Sequence, residues 1–184
     1  MPFWGVITPK VVLNKLLAVI ETMKSLLISL FFIGISCMAW SEETWSVGEA
    51  EVKGKPVVYK FMNEFPGVKT RNKMSWLTVI SWTYDGSTNN GMPPSDINEL
   101  MIKLEDGLEK IEGREKTYFD VYSATGNNLK EFVFYISDRD KFMHNFNNAL
   151  KGHSVYPIEV NFYEDAEWSD LQKLQADFGI TANK

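Results

Sequence analysis

The segment WLTVISWTY, residues 76–84, has the clearest alternation of side chains in the sequence. Every second residue from Trp76 to Tyr84 belongs to one face of an extended chain, and the residues between them belong to the other. Leu77 and Val79 make the second face apolar as well. The pattern therefore predicts a central strand that is covered on both faces.

Three further regions have strand character. Residues 45–61 are typical of a hairpin, with VKGKP as the turn and an apolar second strand. The strands TYFDVYS and LKEFVFYIS follow each other across ATGNN, whose Gly and Asn residues favour a tight hairpin turn. The segment YPIEVNFY alternates from Tyr156 to Phe162 and predicts one more strand, which contains Pro157.

The most regular helical pattern follows the loop after residue 84. Asp96 with Glu99 makes a capping pair for its start, or Ser95 is itself the cap, and Gly113 ends it. The apolar residues recur at helical spacing and are Ile97, Leu100, Met101, Leu104, Leu108 and Ile111.

Two more helices are predicted nearer the carboxyl terminus. Ser137 or Asp138 caps the first, which ends at Gly152, and Asp165 caps the second, which ends at Gly179. Their apolar faces consist of Phe142, Phe146, Ala149 and Leu150 in the first and of Trp168, Leu171, Leu174 and Phe178 in the second.

Between residues 76 and 163 the predicted order of elements is β-α-β-β-α-β. This order is typical of the ferredoxin-like fold, in which an antiparallel sheet has helices on one face. We expect an α+β domain with a ferredoxin-like centre, an extra N-terminal β-hairpin and a C-terminal helix. The fourth strand of such a unit lies at a sheet edge, where the missing amide of Pro157 is tolerated.

Residues 23–43, MKSLLISLFFIGISCMAWSEE, have the architecture of an export signal. Lys24 provides the positive start, an apolar core follows, and AWS gives the small-x-small pattern that signal peptidase requires. The apolar run is too short to span a bilayer comfortably, because a spanning helix needs about 20 apolar residues. We expect cleavage after Ser41, which assigns residues 23–41 to a signal peptide and residues 42–184 to a single domain.

Two alternatives to this cleavage stay open. Cys37 follows a small residue, as the lipid-accepting cysteine of a lipoprotein does, although Gly34 occupies the position where leucine is usual. The other alternative is an uncleaved anchor. Residues 1–22 precede a signal that is complete from Met23 onward, and we interpret them as an upstream extension. The expected localisation is periplasmic or secreted, or else tethered to the membrane through a lipid on Cys37.

The composition excludes several classes of function. The chain has 19 Lys and Arg against 24 Asp and Glu, a net charge of −5 and no basic run, so nucleic acid is not an expected partner. Its single cysteine is Cys37, so the predicted domain contains no disulfide, thiol nucleophile or thiolate metal site. The 143 residues of that domain are enough for an adequate core.

No metal site or cofactor is expected from the sequence. Asp85, Ser87 and Asn89 alternate like calcium ligands, but the sixth position of such a loop needs Gly and holds Asn90. The two histidines lack the spacing of paired zinc ligands. The motifs of phosphate-binding loops, dinucleotide folds and serine hydrolases do not occur.

The remaining candidates for a ligand site are aromatic residues with polar groups, together with carboxylates near the last predicted helix. These residues are Trp82, Tyr84, Tyr135, Glu159, Asp165 and Trp168. On an open sheet face such side chains can hold a ligand. The alternative is that the aromatic rings pack in the core and that Asp165 serves only as a helix cap.

Several phrases of this chain, in this order, resemble the bacterial family of domain of unknown function 695. They are GKPVVYKFMN, WLTVISWTYDG with GMP, LEDGLEKI, REKTYFDVYSATGNNLKEFVFYISD and YPIEVNFYEDAEWSDL. The resemblance covers residues 45–175. It implies a domain type and no particular activity, because the family has no established one.

We therefore expect a non-catalytic module of the cell envelope that binds a small ligand or an envelope protein. It would touch the membrane only through the signal peptide or a lipid on Cys37. The alternative is a hydrolase-type enzyme that uses the carboxylates near Asp165. An enzyme is expected to hold these groups in a concave pocket, whereas a binding module exposes an aromatic patch or an unpaired sheet edge.

Overall fold

The computed structural model describes residues 44–111 and 118–180, which belong to a compact unit of residues 43–184. The predicted signal peptide at 23–41, Cys37 within it and the predicted upstream extension lie outside the described residues. None of the helices within the described ranges is long and apolar enough to cross a membrane.

Six strands and four α-helices make up the described part of the chain. The strands are β1 (Trp45–Val52), β2 (Lys55–Met62), β3 (Trp76–Thr83), β4 (Tyr118–Gly126), β5 (Leu129–Ile136) and β6 (Ile158–Glu164). The helices are α1 (Val68–Arg71), α2 (Ser95–Leu108), α3 (Arg139–Ala149) and α4 (Ser169–Asp177), with 3₁₀ turns at Ser87–Asn89 and Glu109–Ile111.

All strand pairs are antiparallel, and the strands form one sheet in the order β1-β2-β4-β5-β3-β6. The predicted α+β class with an antiparallel sheet is thus confirmed. β3 lies between β5 and β6, and β1 and β6 are the two edges of the sheet within the described ranges. A register shift between Asp120 and Tyr122 interrupts β4, so that Val121 and Tyr122 both contact the same core.

The two faces of the sheet are covered by different helices. On the face that we call the α2/α3 face, Ile80 of β3 packs in one core with Leu104 of α2 and Phe142 of α3. On the opposite α4 face, Leu77 of β3 packs in a second core with Leu171 of α4. The alternating residues of β3 thus enter two separate cores, as its sequence pattern predicts.

Two tight turns fix the registers of β1 with β2 and of β4 with β5. Lys53 and Gly54 have φ angles of 53° and 75°, and Asn127 and Asn128 have φ angles of 47° and 65°. Positive φ at both central residues is the type I′ geometry, whose twist matches that of paired strands. Gly and Asn adopt these angles at smaller cost than other residues, which explains Gly54, Asn127 and Asn128, whereas Lys53 adopts its positive φ without that advantage.

The starts of the first two long helices depend on local geometry. α2 begins at Ser95 with Pro94 as its N-cap residue, so the predicted side-chain caps Ser95 and Asp96 are wrong. Pro94 already has φ of −58°, an angle that leads the chain into the first turn. Of the two predicted caps of α3, Asp138 is the one used, and its carboxylate accepts a hydrogen bond from the Lys141 amide at 2.8 Å.

Other boundaries also differ from the sequence prediction. α3 ends at Ala149, short of the predicted Gly152, and α1 was not predicted, because its four residues are too few to show a helical period. β6 begins after Pro157, and the Ile158 amide donates to the Tyr156 carbonyl at 2.9 Å across that proline. The predicted end of α2 at Gly113 lies outside the described residues.

Candidate functional site

The six predicted ligand-binding residues lie on two sides of the sheet. Trp82 and Tyr84 belong to the α2/α3 core, where they are 2% and 8% exposed. The Tyr84 hydroxyl donates to the Gly91 carbonyl at 2.9 Å, and the Trp82 ring packs against Tyr156 with centroids 5.6 Å apart. These two aromatic residues therefore close the end of the core next to the loop that follows β3.

Tyr135, Asp165 and Trp168 come together on the α4 face. The rings of Tyr135 and Trp168 are stacked with their centroids 4.0 Å apart and 5° between their planes. The Tyr135 hydroxyl donates to Asp165 Oδ2 at 2.5 Å. Both rings are 0% exposed, so we call this group the α4 anchor and assign it first to the packing of α4 on the sheet.

Trp168 has an unusual backbone for so large a residue. Its φ of 59° and ψ of 36° are left-handed, and it occupies the N-cap position of α4. That conformation costs roughly 1–2 kcal/mol for an L-residue. The buried indole offsets this cost, since its Nε1–H donates to the Met74 carbonyl at 2.9 Å and its ring stacks on Tyr135.

Trp168 makes no capping hydrogen bond with its side chain, and the carboxylate of Asp165 accepts the hydrogen bonds of the first helical amides instead. Its Oδ1 accepts from the amide and the hydroxyl of Ser169, both at 2.8 Å, and its Oδ2 accepts from the Asp170 amide at 3.0 Å as well as from Tyr135. Burial by itself raises the pKa of the Asp165 carboxyl, but these hydrogen bonds outweigh it and lower the pKa. Asp165 therefore caps α4 as predicted, although it lies four residues before Ser169, the first residue of the helix.

Glu159, the sixth predicted residue, is exposed on the α4 face of β6. It lies directly opposite Ser81 of β3, which in turn lies opposite Glu131 of β5. The same row continues through Ala124 of β4 to Tyr59 of β2. Because side chains of directly opposite residues share a face, this row brings two carboxylates and a tyrosine to the part of the α4 face beyond the anchor.

A polar patch includes part of this row, and we define it by five half-buried residues: Tyr59, Ser81, Tyr122, Glu131 and Asp170. The Ser81 hydroxyl donates to Glu131 Oε1 at 3.4 Å, and the Tyr122 hydroxyl donates to Asp170 Oδ2 at 2.8 Å. Asp170 belongs to the first turn of α4, so the helix itself carries one acid into the patch. The patch is thus shared by four strands and a helix.

The patch has an acidic and weakly solvated character. Burial raises the pKa of the Glu131 carboxyl, the negative charge of Asp170 raises it further, and the hydrogen bond from Ser81 opposes both. Burial also raises the pKa of the Tyr122 hydroxyl, with the charge of Asp170 next in importance. A carboxyl whose charge is disfavoured by its surroundings is a typical feature of a functional site.

The sequence pattern did not identify this patch, although one signal was available. Glu131 occupies the same face of β5 as Val133 and Tyr135, so it is an acid in an otherwise apolar row. Tyr59 and Tyr122 gave no signal, because aromatic residues in strands are most often part of a core. Only the pairing of β2, β4 and β5 brings these side chains together.

Lys130 is a further residue that the sequence did not single out. It is 8% exposed on the α2/α3 face, and its ammonium lies 4.6 Å from the centre of the Phe132 ring. Burial lowers the pKa of the Lys130 amine, and the charges of Glu105 and Asp120 oppose that shift. The side chain covers the edge of the core beside α2 with its aliphatic stem.

The loop after β3 and the two histidines have local structural roles. Asp85 Oδ1 accepts from the Ser87 amide at 2.9 Å, an Asx turn that leads into the 3₁₀ turn. His144 contacts the Asn148 amide at 2.9 Å, and His153 contacts the Tyr156 hydroxyl at 2.8 Å. Among the described residues, no group of three or more His, Cys, Asp or Glu side chains is placed to hold a metal ion.

Two surface depressions lie away from the patch. One of about 380 Å³ lies between the 3₁₀ turn Glu109–Ile111 and α3, and the other of about 450 Å³ lies beside the β1–β2 turn. The first is lined by Lys110, Ile111, Asn145, Asn148 and Ala149, and the second by Glu49, Ala50, Glu51, Gly54, Pro56 and Asn90. Neither lining contains a residue of the patch or of the α4 anchor.

Replacement of Asp165 by Ala is expected to lower the free energy of unfolding by about 2–4 kcal/mol. The loss of a helix cap costs roughly 1 kcal/mol, and a buried Tyr135 hydroxyl without its acceptor costs roughly 1–3 kcal/mol more. Urea denaturation followed by tryptophan fluorescence measures the change. The exposed Glu167→Ala is the control and is expected to stay within about 0.5 kcal/mol.

A double-mutant cycle isolates the hydrogen bond within this effect. In a Tyr135→Phe background, Asp165→Ala is expected to cost about 1–3 kcal/mol less than in the natural chain, since no buried hydroxyl is left unpaired. Additive losses, within about 0.5 kcal/mol, would show that Asp165 and Tyr135 do not stabilise α4 together.

Replacement of Glu131 by Gln is expected to raise the free energy of unfolding near neutral pH. A carboxyl whose folded pKa is raised stabilises the fold while it is protonated, and this contribution is lost as the pH rises through the folded pKa. The two proteins should therefore converge below about pH 4, near the unfolded pKa of Glu, and diverge above it.

Urea denaturation between about pH 4 and pH 8 measures this difference, with Glu51→Gln at an exposed position of β1 as the control. The control is expected to follow the natural chain within about 0.5 kcal/mol at each pH. A difference for Glu131→Gln that is largest at low pH contradicts the assignment.

Comparison with known proteins agrees with the resemblance seen in the sequence. The model of a family of unknown function, DUF695, matches residues 43–174, which is more than half of the chain and contains the α4 anchor and every residue of the patch. No curated protein and no solved structure is significantly similar to the chain. On the family match, the chain belongs to the DUF695 family of unknown function.

Proposed function

We propose that the chain is an exported, non-catalytic binding module of the cell envelope and that its ligand binds at the polar patch of the α4 face. The observation that carries this proposal is the position of Glu131, whose carboxylate is half-buried on the α4 face beside Ser81 and Asp170, where burial raises its pKa. A carboxylate held at such a position costs stability, and proteins retain costly polar groups most often where they serve function.

The chemistry of the patch favours a cationic ligand, such as a compound with primary amines. Glu131 and Asp170 supply carboxylates that a cation would neutralise, and Glu159 extends the acidic row to the sheet edge. The rings of Tyr59 and Tyr122 border the patch, Tyr59 packed against Phe178 with centroids 5.5 Å apart and Tyr122 against the core of the α4 face, and aromatic rings attract ammonium groups. Lys173 pairs with Asp177 at 2.7 Å, both are largely exposed, and both interact electrostatically with Tyr59 of the patch.

The hydrolase alternative receives less support from the same geometry. Both carboxylate oxygens of Asp165 already accept hydrogen bonds, which favours a structural role for this residue over that of a general base. Glu131 and Glu159 lie on either side of Ser81 in the strand order, roughly 10 Å apart by strand spacing, so a direct carboxylate pair is not formed.

For the fold, we propose that β3 to β6 with α2 and α3 form a ferredoxin-like unit to which β1, β2 and α4 have been added. The order β-α-β-β-α-β and the edge position of the fourth strand, β6, support this assignment. For the location, we propose export by the signal at 23–41, supported by its charged start, apolar core and small-x-small end.

The protein is expected to bind spermidine, used here as a probe with several primary amines, at low ionic strength. Replacement of Glu131 by Gln is expected to weaken this binding at least about tenfold, because hydrogen bonds to charged groups contribute about 1.5–3 kcal/mol. Tyr122→Phe should weaken it less, since the ring remains and only the hydroxyl that orients Asp170 is lost. Isothermal titration calorimetry measures the affinities.

The control separates a defined site from general attraction by an acidic protein. Glu51→Gln removes the same charge at an exposed position of β1 and is expected to leave the affinity within about twofold. Equal weakening by Glu51→Gln and Glu131→Gln, or no binding by the natural chain, would end the proposal of a cation site at the patch.

The protein purified after expression of the whole chain is expected to begin at Glu42. Intact-mass analysis of the amino terminus measures this, and the Ala39→Arg and Ser41→Arg variants should retain the signal, because signal peptidase needs small residues at both positions. An acylated Cys37 at the amino terminus would identify a lipoprotein, and a retained signal in the natural chain would identify an anchor.

A further inference from the structure

The outer edge of β6 is open in the part of the chain that the structure describes. β6 pairs with β3 on one side, and the sheet ends there. The register continues one step past the strand, since the Asp165 amide donates to the Ser75 carbonyl at 2.9 Å. Hydrogen-bonded residues alternate along an antiparallel pair, so Glu159, Asn161 and Tyr163 point their backbone groups at β3.

The residues between them therefore direct their backbone groups outward. Val160, Phe162 and Glu164 present amides and carbonyls along the open edge, whereas the Ile158 amide is already bonded to the Tyr156 carbonyl. Such an edge is a template for another strand. The usual protections against pairing include charged side chains, above all lysine, as well as proline and bulges. The sequence IEVNFYE contains no lysine, proline or bulge, and its charged residues are Glu159 and Glu164.

We propose that β6 pairs antiparallel with β6 of a second copy of this chain, with Asn161 of the two copies facing each other on a twofold axis. In this register Val160 lies opposite Phe162 of the second copy, and Glu159 lies opposite Tyr163 of the second copy. Val160 and Phe162 both direct their backbone groups outward, so the two copies can exchange amide–carbonyl hydrogen bonds at this pair, as an antiparallel ladder requires. A closed dimer results, because the same strand serves both partners.

In this register the side chains of β6 complement those of β6 in the second copy. On the α2/α3 face, half-buried Val160 and Phe162 form two β-branched–aromatic pairs that extend the core across the axis. On the α4 face, the exposed Tyr163 hydroxyl can donate to the carboxylate of Glu159 of the second copy. No carboxylate faces another carboxylate, since Glu164 lies opposite Ile158.

The other edge of the sheet is less suited to pairing. On β1 the Phe178 ring packs over Gly48, which has no side chain of its own to pair across strands, and Val47 is 72% exposed. Trp45 of β1 packs against a core, whereas three residues of β6, Ile158, Val160 and Phe162, lie together at the rim of the α2/α3 core. Pairing through β6 therefore extends a larger half-buried apolar surface than pairing through β1 would.

Cross-linking in the whole chain tests both the dimer and its register, in a Cys37→Ser background so that the introduced cysteines are the only ones. Asn161→Cys is expected to form a disulfide-linked dimer rapidly under mild oxidation, because the two sulfurs meet across the axis. Tyr163→Cys is the matched control, also exposed. Its copies would lie roughly 13 Å apart along the strand, beyond the ~7 Å limit between Cα atoms for a disulfide.

The double variant Glu159→Cys with Tyr163→Cys should cross-link again, since each cysteine then faces its partner in the second copy. Non-reducing electrophoresis is expected to show Asn161→Cys and the double variant linking at least about tenfold faster than either single control at 159 or 163. Sedimentation velocity of the uncross-linked natural chain should show the dimer.

Three results would overturn the proposal. One is a natural chain that sediments as a monomer at every concentration tested. The second is a Tyr163→Cys variant that links as fast as Asn161→Cys, which would indicate random collision. The third is a dimer in which Asn161→Cys does not link, which would place the interface on another surface. Circular dichroism confirms that each variant is folded, as expected for substitutions at exposed positions.

Discussion

Strands β3 and β5 carry apolar side chains on both faces, so this sheet is stable only if both faces are covered. The helices α2 and α3 cover one face. The other depends on the single helix α4, which is held by the α4 anchor of Tyr135, Asp165 and Trp168. Trp168 adopts a strained, left-handed backbone conformation. This conformation persists because it places the indole in the core, where its N–H donates to the Met74 carbonyl.

One helix cannot cover a whole face of a six-stranded sheet. α4 packs on the end of the face near Leu77 and Tyr135, and Phe178 after its last turn packs on Phe61 and Tyr59, so the polar patch lies alongside this cover. The hydrogen bond from Tyr122 to Asp170 joins the two regions, since Asp170 belongs to the first turn of the helix. The position of the candidate site is thus a consequence of how α4 is anchored.

The patch and the open edge of β6 lie on neighbouring strands of the same face. Glu159 links the two, because it lies opposite Ser81 of the patch in the sheet and opposite Tyr163 of the second copy in the proposed dimer. Two patches would then lie on one side of a continuous sheet. A ligand with several charged groups would gain affinity from such an arrangement, because its second contact would be intramolecular.

The strand Trp76–Thr83, the Asn127–Asn128 hairpin and the class of the fold could be predicted from the amino-acid sequence, because side-chain period and turn chemistry are local properties. The sequence did not reveal that Trp82 and Trp168 enter opposite cores, or that Tyr59 and Glu131 meet, since residues far apart in the chain are brought together only by strand pairing. Asp165 was correctly predicted as the residue whose side chain caps α4. It lies four residues before the helix, because the buried Trp168 occupies the N-cap position. Tertiary structure alone decided where the polar patch lies, because it decided where the cover of α4 ends.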